Sequence, residues 1–270
     1  MFYTEHVVHL RDDVNDNASK NSLNVNDVFL EHIVKNITAN SKILDIGTGN
    51  GFVLKLIKAH SLVPVRLYGI DNSKEMVNAS KGLAGIDIRL ADNYNIPFED
   101  GFFDLVTAKN VTRFSAEELY RVLTPTGKFF LREYGEYKGL VEISKLFPGR
   151  LIRSRKVDFY AKLLKDAGFT SIDILHLPIT RTFPDVKSVL NVVKSYPYIM
   201  DYSKEDEERI IRYLEEDPTH LTITSDPFIL IGGKWYDKLH WCSNHWRRSC
   251  WYGSCCWCRK QPVKLRSLWE

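Results

Sequence analysis

The stretch Ile43-Leu44-Asp45-Ile46-Gly47-Thr48-Gly49-Asn50-Gly51 constrains this chain more than any other part of it. An apolar strand runs into three alternating glycines and then directly into the helical pattern FVLKLIKAH. Glycine in such a turn lets the backbone approach a ligand without an intervening Cβ, and a turn that opens a helix aims free N–H groups at an anion. The spacing narrows the choice of ligand. A dinucleotide fingerprint, G-x-G-x-x-G, would place its third glycine at 52, where Phe52 stands, so a nicotinamide dinucleotide is disfavoured. Asp45, two residues before the first glycine, would repel a pyrophosphate and could receive an ammonium, which suggests a zwitterionic ligand.

Around this turn, short β-branched runs alternate with segments of helical spacing, the rhythm of a doubly wound α/β sheet covered on both faces. Seven strands are expected: KILDI (42–46), VRLYGI (65–70), IDIRLA (86–91), FDLVTA (103–108), KFFLREY (128–134), SIDILHLPI (171–179) and LTITSDPFILIGG (221–233). Helical candidates between them include SKEMVNASK, SAEELYRVL and RKVDFYAKLLKDAGF. Pro125 with Gly127 reads as a turn, and Gly168 as a helix stop. An insertion at about 180–219, with FPDVKSVLNVVKSY and SKEDEERIIRYLEED, is expected to cap the crevice at the strand ends, where such sheets bind ligands.

The ends of the next strands sharpen the chemistry. The second ends in Gly69-Ile70-Asp71, about twenty residues beyond the glycine turn, where a carboxylate can accept both hydroxyls of a ribose. The third ends in Ala91-Asp92-Asn93, suited to the exocyclic amine of adenine. An amino-acid head, a ribose and an adenine in that order describe S-adenosyl-L-methionine. Alternatives stay open for each residue alone: tight packing also selects glycine, Asp71 could cap the helix that follows, and Asp92 could be a turn residue.

Through ILDIGTGNG, YGID, LADNYNIPFEDGFFDLV and ELYRVLTPTGKFFL, residues 25 to 234 resemble the class I S-adenosylmethionine-dependent methyltransferases. The resemblance implies a Rossmann-like seven-stranded sheet, mostly parallel with an antiparallel last strand. It implies cofactor contacts from Asp45, Gly47, Thr48, Gly49 and Gly51 at the methionine end, from Asp71 at the ribose, from Asn72, Asp92 and Asn93 near the adenine, and from Lys109 and Asn110 after the fourth strand. The insertion resembles that of the branch acting on small carboxylates, acyl carriers and quinone precursors.

The expected function is therefore O- or C-methylation of a small-molecule acceptor. A cofactor-binding protein without turnover and an RNA or protein methyltransferase are the alternatives. Methyl transfer is an in-line displacement, so a general base is optional; His6, His9, Glu133 and His176 are the candidates. Arg150, Arg153, Arg155 and Lys156 precede the helix FYAKLLKDAG, where positive charge opposes the helix dipole; a solvated surface patch is the favoured reading, and attraction of an anionic group on the acceptor is the functional alternative.

Composition divides the chain. All six Trp and all five Cys lie beyond Lys234, and seven of the 37 Lys/Arg and two of the 34 Asp/Glu lie there too, leaving residues 1–234 slightly acidic. An acidic body argues against capture of nucleic acid. In residues 235–270, Cys242, His245, Cys255 and Cys258 could ligate zinc. The cluster could also be an interfacial or nucleic-acid patch, and the favoured reading is a foreign or frame-altered, unstructured extension. With neither a long apolar run nor a basic-then-apolar start, no membrane span or secretory signal is expected, and the expected compartment is the cytoplasm.

Overall fold

The computed structural model describes residues 24–152, 154–195 and 198–234. The tail at 235–270, with its zinc-ligand candidates, and His6, His9 and Arg153 lie outside the described residues. In chain order the elements are α1 (Val25–Val34), β1 (Lys42–Ile46), α2 (Phe52–His60), β2 (Arg66–Asp71), α3 (Lys74–Ala79), β3 (Ile86–Leu90), β4 (Phe103–Lys109), α4 (Ala116–Val122) and β5 (Leu123–Tyr134). They continue as α5 (Val141–Lys145), α6 (Val157–Asp166), β6 (Ser171–His176), β7 (Ile179–Thr182), α7 (Val186–Ser195), α8 (Lys204–Glu216), β8 (Thr222–Ser225) and β9 (Pro227–Gly233).

Seven strands form one sheet in the order β3-β2-β1-β4-β5-β9-β6. All are parallel except β9, which runs antiparallel to both β5 and β6. The central strands are buried on both faces, which is why β1 carries the adjacent apolar residues Ile43 and Leu44 and buries even Asp45. Alternate residues feed two cores. Leu44, Ile46, Val106, Phe129 and Leu131 pack with α4 and α6, while Ile43, Leu105 and Phe130 face α1 and α2. All parallel strands point their carboxyl ends to one edge, and the glycine turn, Asp71 and Asn110 lie there.

Three details differ from the sequence reading. The run 171–179 is two strands, because the ladder with β9 stops where Leu177 N–H bonds to Pro227 O, and β7 then pairs with β8 in a separate two-stranded sheet. The run 221–233 is likewise cut at Asp226, whose carboxylate accepts the Tyr137 and Gly139 N–H groups at 3.1 and 2.9 Å. The fifth strand starts at Leu123: β4 keeps its pairing through an irregularity that passes from Leu123 to Lys128, so Pro125 and Gly127 sit in a bulge within the strand.

Between β6 and β9, α7 and α8 pack with α5 into their own core of Phe147, Val189, Val193, Ile210 and Leu214. Ser203 and Asp206 form a reciprocal capping box at the start of α8. No helix among the described residues is long and apolar enough to cross a membrane.

Candidate cofactor and acceptor site

Left-handed backbone shapes the turn after β1. Gly49 has φ +56° and Gly51, which starts α2, has φ +78°. A Cβ on Gly51 would lie 2.6 Å from Leu83 Cδ1 and 3.3 Å from Ile88 Cδ1, so a side chain there would force those side chains to shift. At Gly49 the nearest atom would be Met76 Sδ at 3.9 Å, so the backbone faces open space. The Gly49 N–H donates to Asp71 Oδ2 at 2.8 Å, and the Thr48 N–H donates to Ile70 O at 3.0 Å, tying the turn to the end of β2.

Asp45 lies beneath this turn, buried and paired in register with Thr107 of β4, whose hydroxyl donates to Asp45 Oδ1 at 2.7 Å. Burial pushes the Asp45 carboxyl up to about 7. The Thr107 and Thr48 hydroxyls and the charge of Lys109 pull it down, and the nearby Asp71 raises it. The buried Thr48 hydroxyl makes no well-aligned hydrogen bond of its own. A desolvated carboxyl beside an open glycine turn is suited to a ligand ammonium.

Asp71 braces the site as well as facing it. Its second oxygen accepts Ser73 N–H at 2.9 Å, while Ser73 itself caps α3 through Met76 N–H, so Asp71 is not the helix cap. Asn72 follows it, exposed. Asp92 makes an Asx turn by accepting Tyr94 N–H at 3.0 Å, and Asn93 donates to Arg113 O at 3.0 Å, joining the loop after β3 to the loop after β4. Arg121 fixes the base of the first loop by donating to Ile96 O, Phe98 O, Asp100 and Glu118. This accounts for the IPFED segment within the resemblance.

After β4, the Lys109 ammonium sits 4.4 Å from the Phe52 ring centre. Asn110 adopts φ +59° with its N–H on Arg132 O and its side-chain oxygen accepting from the Arg132 guanidinium. Thr107 and Arg132 were not anticipated. Thr107 lies between Val106 and Ala108 and Arg132 follows Leu131 inside their strands, so only the fold shows that they reach Asp45 and Asn110.

The remaining candidates separate. Glu133 is fully buried at the end of β5, and burial raises its pKa. His176 is exposed at the outer edge of the sheet. Arg150 is committed elsewhere: it grips both Asp206 oxygens at 2.8 Å and also donates to Met200 O and Asp201 O. It therefore docks α8 and does not await a ligand. Lys156 lies 3.6 Å from Glu136. Arg155 lies over the Phe159 ring on the wall of a cleft of about 380 Å³, together with Tyr94, Arg113 and Phe114. Among the described residues no group of three or more His, Cys, Asp or Glu could hold a metal ion.

Residues 44–131 match the family model described as a methyltransferase domain. The ubiquinone/menaquinone biosynthesis C-methyltransferase of Geotalea daltonii is 38% identical over 108 residues, 35% of this chain and 46% of that protein. Phosphoethanolamine N-methyltransferase 1 of Arabidopsis thaliana is 26% identical over 214 residues, 72% of this chain and 42% of that protein. The chain thus spans about half the length of these curated relatives or less. The crystal structure of the YcgJ protein from Bacillus subtilis has the same fold, with a TM-score of 0.55 at 20% identity, covering 77% of this chain and 97% of that one.

Proposed function

We propose that this chain, whose matched segment belongs to the class I S-adenosylmethionine-dependent methyltransferases, transfers a methyl group from S-adenosylmethionine to a small-molecule acceptor. The observation that carries the reading is the linkage of two carboxylates through one glycine turn: Asp45 buried under it and Asp71 bonded to the Gly49 N–H. That arrangement fits the cofactor's charges: Asp45 for the ammonium, Gly47, Thr48, Gly49 and Gly51 for the methionine end, Asp71 for the ribose, and Asn72, Asp92, Asn93, Lys109 and Asn110 for the adenine side and the walls.

Bound there, the cofactor supplies an electrophilic methyl group on a sulfonium. The chain's task is to hold the acceptor in line and exclude water. The helices between β6 and β9 serve as the cap, and Arg150 holds α8 in place through Asp206. Arg113 and Arg155, with the aromatic rings of Tyr94 and Phe159, suit an acceptor carrying an anionic group and an unsaturated or ring portion. The two curated relatives are named for C- and N-methylation, so methylation at carbon is carried forward beside O-methylation.

The test is S-adenosylhomocysteine formation by the full chain from S-adenosylmethionine and a small-metabolite extract. Product that depends on both supports the reading. Cofactor binding without product across the extract supports a binding protein instead.

A further inference from the structure

Resting on the methyl-transfer reading above, we propose that Glu133 and Tyr160 together form a recognition site for a hydroxyl group on the acceptor. Both side chains are fully buried. One Glu133 oxygen accepts the Tyr134 N–H at 2.8 Å, but Oε2 has no hydrogen-bond partner, and neither does the Tyr160 hydroxyl. Buried polar atoms are almost always paired, so two orphans that share Phe228 as a neighbour point to a site that something else completes.

Their adjacency follows from the register. Glu133 has the parity of Phe129 and Leu131 on β5 and lies directly opposite Phe228 of β9. The Tyr160 ring packs on that same Phe228, with centroids 5.8 Å apart. Burial pushes the Tyr160 phenol's pKa up, and the Glu133 charge adds to that rise. On the next strand, Arg132 pairs with Lys109, so Glu133 stands one residue beyond the level where β4 ends at the cofactor site.

Tyr160 borders the wall of the cleft. Phe114, stacked on Tyr160 at 6.0 Å, and Arg155, whose charge also acts on that phenol, both belong to the cleft wall. Glu133 and Tyr160 are not themselves on that wall; Phe114 and the exposed Arg155 stand between Tyr160 and the cleft.

The two orphans select among functional groups. A hydroxyl can donate to Glu133 and accept from Tyr160 at once. An ammonium only donates, leaving the phenolic proton unpaired. An ether only accepts, leaving the carboxylate unpaired. The charges of Lys138 and Arg132 acting on Glu133, against the single opposing Asp226, also disfavour an additional cation.

Phenol, anisole and benzylammonium, titrated into the full chain saturated with S-adenosylhomocysteine and followed by NMR, test this. Phenol is expected to bind at least about tenfold more tightly than the other two. Glu133→Gln should weaken phenol about tenfold or more, because the amide must keep its oxygen on Tyr134 N–H and turn its NH₂ toward the phenol proton. Tyr160→Phe, which removes only the hydroxyl, should weaken it severalfold. Both variants should bind S-adenosylhomocysteine as wild type does. Absence of phenol binding, anisole binding as well as phenol, or equal phenol affinity in the wild type and both variants overturns the proposal. Absence of S-adenosylhomocysteine binding to the wild type removes the methyl-transfer reading as well, so the two failures are distinguishable.

Discussion

The Asp71 carboxylate accepts the Gly49 amide at 2.8 Å, so the end of β2 holds the turn after β1 in its left-handed conformation. The same carboxylate accepts Ser73 N–H, so one side chain fixes both the glycine turn and the start of α3. Asp71 therefore has two jobs, and substitutions separate them.

Asp71→Asn keeps one acceptor oxygen for two donors. Either Gly49 N–H or Ser73 N–H loses its partner, and a stability loss of about 1 kcal/mol is expected in urea unfolding. With Asp71 in its proposed place at the ribose, S-adenosylhomocysteine affinity should also fall at least about tenfold.

The glycines are expected to differ. Gly49→Ala adds a methyl to open space, so its cost is the left-handed conformation alone, about 1–2 kcal/mol. Gly51→Ala adds the collision with Leu83 to the same strain and should be the less stable of the two. Thermal melts of the ligand-free variants order them. Ligand binding should suffer in Gly49→Ala beyond its stability loss, because its new methyl points where the cofactor would approach.

Asp45 makes stability and binding respond oppositely to pH. Its folded-state pKa of about 7 lies above the ordinary 3.8, so between these values the folded protein holds a proton that the unfolded chain has released. This group's contribution is therefore most favourable below about pH 4, declines as pH rises to about 7 and is flat above, a span on the order of 4 kcal/mol. Binding an ammonium requires the carboxylate, so cofactor affinity should fall as pH drops below about 7, with Lys109 and Asp71 the charged neighbours that set the midpoint. Asp45→Asn should remove this group's share of the pH slope between about pH 4 and 7 in both urea unfolding and calorimetry.

The Arg150–Asp206 pair has the reverse acid response. Arg150 holds the Asp206 carboxyl down to about 2, well below its ordinary value. The stabilisation is present above about pH 4 and is lost as pH falls toward 2. Hydrogen exchange in α8 should accelerate over that window in the wild type, and Arg150→Ala should give the faster exchange already at neutral pH.

Much of the sheet was legible because parallel strands buried on both faces leave short apolar runs, as in KILDI and FDLVTA, separated by helical spacing. The runs that were misjudged crossed a break the pattern does not show: apolar alternation continues through Pro178 and Asp226 although the chain changes sheets there. Pro125 and Gly127 suggested a boundary because turn residues also serve bulges. At the site, the acids at the strand ends were readable from their spacing. Arg150 was not, since its partner Asp206 lies 56 residues away and only packing of the insertion brings them together. The position of Glu133 was half legible: its parity with Phe129 and Leu131 pointed inward, but its unpaired oxygen emerged only with Tyr160 in place.

Calorimetric titration of S-adenosylhomocysteine into the wild type and Asp71→Ala tests the central claim most directly. The account predicts one-site saturable binding to the wild type and an affinity at least about tenfold lower in the variant, with the fold retained by circular dichroism. No heat of binding with the wild type, or equal affinity in the two proteins, would contradict it.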